Sequence, residues 1–364
     1  TSERYTSVED LTQSRYNYVQ SEDTTGFVSI STEGDHVIEG KEIWVTATGS
    51  DTQSHALHAN GTGVKLTNTG KIYIQASEGA KYWSQKGMMA GGGATVVNEG
   101  DIVAKNAYGM TVEKDVASHI ENGVNGTITV LDQGAGIELG GESGSTAVNN
   151  GKITVSDIAE GSWGHGVLIK ADDGASTFTF TNNGEISATG TGASAIEVQN
   201  GDGTEAEINL MEGSQIDGVV RVGEGTKVTL NAQGTDDSFI LDSKSAELTI
   251  KVSDGANLTL ENDDVKGNGA LISEVVIDDG RLNASIWQDD NKFKKVTVNE
   301  GGIFSIQDLN AGGTKGQEHG AKDVTPHNTL LLAYGADYKL DGGKLYVGDS
   351  EYHGNLKIGT ANTS

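Results

Sequence analysis

The sequence predicts an all-β protein folded as a right-handed parallel β-helix, with three strands per coil and about 12–14 coils. Three observations lead to this fold class: a composition poor in apolar residues, a glycine motif that recurs along the chain, and apolar–polar alternation with a period of two. Hydrophobic residues make up 35% of the 364 residues, which include 52 glycines and one proline. Because each coil of a solenoid buries only a thin apolar strip against its neighbours, a β-helix tolerates this low fraction.

One motif organises the chain: Asn or Glu, any residue, Gly, and then alternating polar and apolar residues. Its clearest copies are NTGKIYI (68–74), NEGDIVA (98–104), VNGTITV (124–130), NNGKITV (149–155) and NNGEISA (182–188). Glycines at similar spacing continue the pattern at Gly213, Gly234, Gly255, Gly280 and Gly301. Alternation with a period of two is typical of strands, and we expect Gly and Asn to supply left-handed corners between them.

Aligning the copies predicts which side chains stack from coil to coil. The third strand of each coil contributes an inward isoleucine column of Ile72, Ile102, Ile128, Ile153 and Ile186. The second strand contributes Leu66, Val96, Ala147 and Phe180 to the core, and the first strand places small residues in one slot, namely Gly87, Gly109, Gly136, Gly166 and Ala195. On the outer surface the alignment predicts an exposed aromatic pair, Trp44 and Tyr73, on neighbouring coils.

The motif also divides the chain. Residues 1–34 lack it, and we expect them to form an N-terminal cap that shields the first coil. Residues 35–312 carry the coils. Residues 313–364 are expected to form further coils and a C-terminal cap, preceded by a polar loop over 314–327 that contains the only proline, Pro326.

Charge and composition exclude several partners. A net charge of −27 argues against nucleic acid, which is held by basic surfaces. The absence of cysteine excludes disulfides and thiol catalysis and suits a chain that is exported unfolded. No apolar run is long enough for a membrane helix, so we expect no membrane insertion by this segment. Its first residues do not read as a signal peptide.

Short stretches that resemble catalytic motifs are explained better by the coil geometry. GHG at 164–166 resembles the histidine motif of polygalacturonases, but Asp172 and Asp173 follow it instead of preceding it. GESGS at 141–145 resembles the serine motif of secreted proteases, but it aligns with turns of other coils. No spacing indicates a metal site, although acidic turns could bind calcium weakly. We therefore expect no enzyme, no cofactor and no metal.

Aromatic residues in two long corners are the candidate ligand-binding residues. The corner at 77–86 carries Lys81, Tyr82, Trp83 and Lys86, and the corner at 156–164 carries Trp163. We expect them to share one edge of the helix, and the pair Trp44 and Tyr73 to form a second patch. Aromatic rings beside polar groups are enriched in binding surfaces and can stack on sugar rings.

The repeated corners, the lack of cysteine and the segment YGADYKLDGGKLYVG near the end resemble passenger domains of type V autotransporters, in particular AIDA-like and UpaB-type bacterial adhesins. The resemblance implies a virulence-associated adhesin that is exported through the outer membrane and displayed on the cell surface. It implies binding to host extracellular-matrix glycosaminoglycans or to matrix proteins such as fibronectin. Two alternatives stay open: self-association that mediates aggregation and biofilm, and a β-helix polysaccharide lyase or glycosidase. The sequence alone leaves open which ligand and which face are involved, and whether the segment is cleaved from a membrane anchor.

Overall fold

The computed structural model divides the chain into two compact units, Thr1–Val198 (unit 1) and Gln199–Ser364 (unit 2). The residues that the structure describes are 4–21, 26–77, 79–172, 174–245, 247–261, 270–284, 291–306, 337–347, 349–353 and 357–358. The predicted loop with Pro326 and the second residue of the pair Asp172 and Asp173 therefore lie outside the described residues.

Unit 1 consists of three parallel sheets, to which each coil contributes one strand. Sheet 1 contains β1 (Arg15–Gln20), β4 (Glu42–Ala47), β7 (Lys71–Ala76), the first halves of β10 (Asp101–Val112) and β12 (Thr127–Leu139), β14 (Lys152–Ile158) and β17 (Glu185–Ala188). Sheet 2 contains β2 (Val28–Ile30), β5 (Ser54–Asn60), β8 (Gln85–Gly91), the second halves of β10 and β12, β15 (Gly164–Ile169) and β18 (Ala193–Val198). Sheet 3 contains β3 (Gly34–Ile38), β6 (Val64–Asn68), β9 (Thr95–Asn98), β11 (His119–Asn122), β13 (Thr146–Asn149) and β16 (Ser176–Asn182).

This arrangement confirms the predicted parallel β-helix with three strands per coil. Parallel strands begin at Arg15, and Tyr5 already forms an isolated parallel bridge with Val28, both inside the segment that the sequence assigns to the N-terminal cap. Two short 3₁₀ helices, Val8–Asp10 and Tyr82–Ser84, are the only helical elements among the described residues.

The isoleucine column is confirmed. Its members pair in register from rung to rung, and none is more than 1% exposed: Ile72 with Ile102, Ile102 with Ile128, Ile128 with Ile153, and Ile153 with Ile186. The core residues predicted for the second strand are buried as well, and Ile120 fills the rung between Val96 and Ala147. Each such side chain contributes about 1.5–3 kcal/mol by leaving water.

The slot of small residues in sheet 2 has a steric cause. A Cβ atom on Gly109 would lie 2.5 Å from the carbonyl oxygen of Gly136 and 3.0 Å from Cγ2 of Ile128. A Cβ on Gly136 would lie 2.7 Å from Cγ2 of Ile153. At Gly109 and Gly136 the backbone of sheet 2 therefore lies directly against the isoleucine column, with no room for a Cβ atom between them.

Several glycines of the motif do not have the left-handed backbone that the sequence predicts for them. Left-handed backbone occurs at Gly213, Gly234 and other corners of the chain, but not at Gly70, Gly100 or their equivalents at 126, 151 and 184. A Cβ on Gly100 would instead lie 2.1 Å from the carbonyl oxygen of Gly70. At these positions glycine is needed because consecutive coils approach closely, and the expected left-handed corner is wrong there.

Four asparagines of the motif, together with Asn122 just before the third copy, form a buried asparagine ladder. Its members are Asn68, Asn98, Asn122, Asn149 and Asn182, all inaccessible to solvent. Each side-chain Nδ2 donates to Oδ1 of the next asparagine at 2.9–3.0 Å. Oδ1 of Asn68 also accepts the backbone N–H of Gly70 at 3.0 Å. Because each amide both donates and accepts, the ladder satisfies polar groups that would otherwise be costly to bury.

Unit 2 is also built from parallel strands. One row contains β19 (Thr204–Leu210), β22 (Lys227–Gln233), β24 (Glu247–Ser253), β26 (Ala270–Ile277), β28 (Asn291–Asn299) and β30 (Asp337–Asp341). A second row contains β23 (Asp236–Ser243), β25 (Ala256–Leu260), β27 (Gly280–Ala284), β29 (Gly302–Ile306) and β31 (Lys344–Val347). The unit also contains β20 (Gln215–Asp217) and β21 (Val219–Val222), and β21 pairs with β23. The pairing turns antiparallel where β32 (Ser350–His353) joins β31 and β33 (Lys357–Ile358) joins β30.

Candidate functional site

The corner before β8 is pinned by a buried glutamine. The side-chain amide of Gln85 donates to the carbonyl oxygens of Thr52 at 2.7 Å and Lys81 at 3.1 Å, and its Oε1 accepts the hydroxyl of Ser54 at 2.5 Å. Because these bonds tie the end of the corner to the rung below, the chain closes a single 3₁₀ turn over Tyr82–Ser84. The aromatic residues of this corner are therefore held in a defined position.

The two aromatic rings in this turn have different roles. Tyr82 is half-buried and packs against a cluster of Tyr108, Ala135 and Leu168 on the outer side of sheet 2. Trp83 meets the Tyr82 ring edge-on, with 5.1 Å between ring centroids, and remains 48% exposed. The ammonium group of Lys81 lies 5.4 Å from the centroid of the Trp83 ring. Tyr82 thus supports the turn, and Trp83 presents an aromatic surface to solvent.

Trp163 ends the second long corner and is 56% exposed. Its backbone oxygen accepts the N–H of Gly134 at 3.1 Å, which fixes the residue at the start of β15. The strands β8, β10, β12 and β15 follow one another in sheet 2, so Trp163 lies three rungs from the Trp83 corner. This corresponds to roughly 14 Å along the sheet. The two exposed tryptophans therefore share one edge of unit 1.

Trp44 and Tyr73 lie on neighbouring rungs, as their alignment predicts, and their rings stack with centroids 4.4 Å apart. The guanidinium carbon of Arg15 lies 4.4 Å from the centroid of the Trp44 ring. Since β4 lies between β1 and β7, Arg15 and Tyr73 cover opposite faces of Trp44. Trp44 is half-buried rather than exposed, and neither face of its ring is open to a ligand.

Lys86 lies on β8 beside buried titratable groups that the sequence did not single out. Burial raises the pKa of Glu138 to about 7, while Lys86 and Lys170 act to lower it and Asp172 to raise it. Burial likewise lowers the pKa of His55 to about 3, with Lys86 adding to the effect. Burial also raises the pKa of Tyr108 well above its ordinary value. A sequence signal for Glu138 exists, because it is an acid within the otherwise apolar stretch GIEL of β12.

His165 of the GHG stretch connects a serine and an acid. Its Nδ1 lies 2.7 Å from Oγ of Ser194, and its Nε2 lies 3.6 Å from Oε2 of Glu197. This order of groups is the one that an activated serine requires. Ser194 has no exposed surface, however, so a polymer cannot reach its oxygen. Ser145 of the GESGS stretch is equally buried, and its hydroxyl accepts the backbone N–H of Ser118 at 3.2 Å.

The residues that the structure describes contain no group of three or more His, Cys, Asp or Glu side chains placed to hold a metal ion. No helix formed by them is long and apolar enough to cross a membrane.

Comparison with known proteins gives one family match. The model of the BigA third pectate lyase-like domain matches residues 16–210, just over half of the chain. No curated protein and no solved structure matches. The matched range includes the isoleucine column, the asparagine ladder and both long aromatic corners.

Proposed function

The chain belongs to the family of the BigA third pectate lyase-like domain, a family of bacterial surface β-helix proteins, and on that premise we propose that it is an adhesin. In this proposal the chain is an autotransporter passenger of the AIDA-like or UpaB-type class, displayed outside the outer membrane. Its ligand is a glycosaminoglycan or a matrix protein of the host, such as fibronectin.

The observation that carries the proposal is the shared edge of Trp83 and Trp163. Both tryptophans are about half exposed and are held by ordered corners, so each offers ring surface that a ligand can cover. Their separation of roughly 14 Å suits an extended ligand that runs along the stacked coils. The supporting contacts are Tyr82 beneath Trp83, and Lys81 and Lys86 near the same corner.

Charge sets the expected mode of binding. The chain carries a net charge of −27, so a polyanion gains little from the protein as a whole. Lys81 and Lys86 are local exceptions beside the aromatic corner. A glycosaminoglycan would therefore be held by stacking and hydrogen bonds, and few counterions would be released. We expect the affinity to depend weakly on salt.

Binding is favoured over cleavage because the candidate acid–base groups are inaccessible. Glu138 has a pKa near neutrality, as a general acid requires, but it is 6% exposed. Ser194 is fully buried beside His165. Cleavage would need either group to reach a polymer, whereas the two tryptophans already face solvent.

The test is a binding screen with the purified chain. A glycan and matrix-protein array identifies the ligand, and surface plasmon resonance then compares the wild type with the double variant Trp83→Ala and Trp163→Ala. We expect the double variant to bind at least about tenfold more weakly, as for loss of interface hot spots. Tyr352→Ala is the matched control, because Tyr352 is a 44% exposed aromatic residue of unit 2.

Three results would contradict the proposal. The double variant could bind as well as the wild type, which would remove these residues from the site. The chain could sediment as aggregates without any ligand, which would favour self-association. New reducing or unsaturated ends could appear in an incubated polysaccharide, which would favour a lyase or glycosidase.

A further inference from the structure

Unit 2 has an open groove on the outer face of β25, β27 and β29, beyond the range of the family match. It is shallow and open to solvent, with a volume of about 610 Å³. The residues that line it with polar side chains are Asn257, Thr259, Asp279, Arg281 and Asn283. Gly255, Gly280 and Gly301 form one end, where the backbone has no side chain over it.

The polar side chains of this groove are fixed by one another. Nε of Arg281 donates to Oδ1 of Asn283 at 2.6 Å. Nδ2 of Asn283 donates to Oδ1 of Asn257 at 2.8 Å and to Oγ1 of Thr259 at 3.1 Å. Nδ2 of Asn257 in turn donates to Oδ1 of Asp236 at 3.3 Å. A ligand therefore meets side chains that are already ordered, which lowers the entropic cost of binding.

The paired donors that this network offers to a ligand are the terminal nitrogens of Arg281, because both atoms of the Asn257 and Asn283 amides already form hydrogen bonds. Within the part of the chain that the structure describes, the Arg281 guanidinium donates one hydrogen bond, through Nε, and its carbon lies 5.9 Å from the centroid of the Tyr346 ring. Two terminal nitrogens of a guanidinium can bind two neighbouring oxygens at once. Vicinal hydroxyl groups of a sugar present such a pair of oxygens.

The charges of the groove and of the whole chain favour an uncharged ligand. Arg281 is the cation of the lining and Asp279 is its anion, so the two offset each other. The net charge of −27 further disfavours a sulfated or polyuronic chain. Ile303 is the one large apolar side chain in the lining, and it is half-buried, so an apolar ligand gains little there.

We infer that this groove is a binding site for a neutral oligosaccharide, separate from the aromatic edge of unit 1. Rungs repeat every 4.7–4.9 Å, close to the length of one sugar unit in an extended chain. Successive rungs present Asn257, Arg281 and Ile303 in one row, so neighbouring sugars meet a different side chain on each rung. The inference does not depend on the adhesin site at Trp83 and Trp163.

The test is calorimetric titration of the whole chain with tetrasaccharides. The panel contains neutral tetrasaccharides of glucose, galactose, mannose and N-acetylglucosamine, and a chondroitin sulfate tetrasaccharide as the acidic comparator. We expect a neutral member to bind, and Asn257→Ala or Arg281→Ala to weaken it by about tenfold or more. Thr259→Val, which removes a hydroxyl at nearly constant volume, gives a third variant if either substitution unfolds the protein.

Two control variants show whether a loss of sugar binding comes from the groove or from a change elsewhere in the protein. Asn231→Ala removes an amide that donates to Asn209 at 2.9 Å, a similar surface pair outside the groove, and should leave binding unchanged. The Trp83→Ala and Trp163→Ala double variant should also bind the neutral sugar normally, whatever its effect on adhesion. The inference is overturned if no neutral sugar binds, if binding survives all three groove variants, or if the sulfated sugar binds best.

Discussion

The asparagine ladder predicts that the substitution Asn149→Asp strongly destabilises the protein. Its Nδ2 donates to Oδ1 of Asn182 at 2.9 Å and to the carbonyl oxygen of Glu185 at 3.2 Å. Asn149→Asp keeps the shape of the side chain but replaces this donor with an oxygen. Both acceptors then lose the hydrogen bond that Asn149 donates, and a carboxylate faces them. Loss of a donor to a buried group costs about 1–3 kcal/mol, so the free energy of unfolding should fall by about 2–6 kcal/mol.

Guanidinium unfolding followed by circular dichroism measures this loss. The control is Asn183→Asp one rung further on, since Asn183 makes a similar amide bond to Asn150 at 2.7 Å but is exposed. The control should change stability by no more than about 0.5 kcal/mol. At a pH where the new carboxyl is protonated, its O–H can donate again and part of the loss should be recovered. Equal unfolding midpoints for the two variants would show that the ladder does not stabilise the fold.

Three further predictions concern other parts of unit 1. Gly109→Ala should lower the melting temperature in a thermal scan, because its Cβ would lie 2.5 Å from the carbonyl oxygen of Gly136. Glu138→Gln should remove a pH dependence of the free energy of unfolding. The folded-state pKa of about 7 lies above the ordinary value of 4.5, so the folded protein binds the proton more tightly between these values. Relative to the Gln variant, the wild type should lose about 3 kcal/mol of unfolding free energy as pH rises from about 4.5 to 7. Denaturant unfolding at several pH values measures this difference. Trp44→Leu should destabilise the protein by about 1–3 kcal/mol in the same assay while leaving ligand affinity unchanged, since Arg15 and Tyr73 already cover the ring.

Each of these expectations can fail in a specific way. If Gly109→Ala had the same melting temperature as the wild type, the coils would be able to separate at this position without a cost in stability. If the unfolding free energies of the wild type and Glu138→Gln changed with pH in parallel, Glu138 would be solvated or ion-paired in solution. Loss of adhesion in Trp44→Leu without loss of stability would return the Trp44 and Tyr73 pair to the list of ligand contacts.

The interior of unit 1 could be predicted from the sequence because the motif fixes the register. Once Gly70, Gly100 and Gly151 are aligned, a period of two decides which side chains point inward, and a shift by one residue would expose every isoleucine. The slot of Gly87 and Gly109 could be predicted for the same reason. Only the steric cause of that slot required coordinates.

The surface was less predictable because it depends on contacts outside the motif. Arg15 lies in a segment without the repeat, so its position over Trp44 could not be inferred from the alignment. The support of Tyr82 by Tyr108 depends on how one corner folds over sheet 2. The sequence predicts that the motif asparagines shape corners, whereas Asn149 donates to Asn182 in the buried ladder. Spacing alone cannot distinguish these roles.

The asparagine ladder also has a direction. Every side-chain amide donates toward the carboxyl-terminal neighbour, so the amide dipoles of successive rungs point the same way and add. Nδ2 of Asn182 also donates to the carbonyl oxygen of Gly184 at 2.9 Å, as Nδ2 of Asn98 does to Gly100 at 3.2 Å. A coil grafted into this row would have to bring an amide oriented in the same sense. The interior is therefore polarised along its length, and this polarity limits which repeats can be exchanged between such proteins.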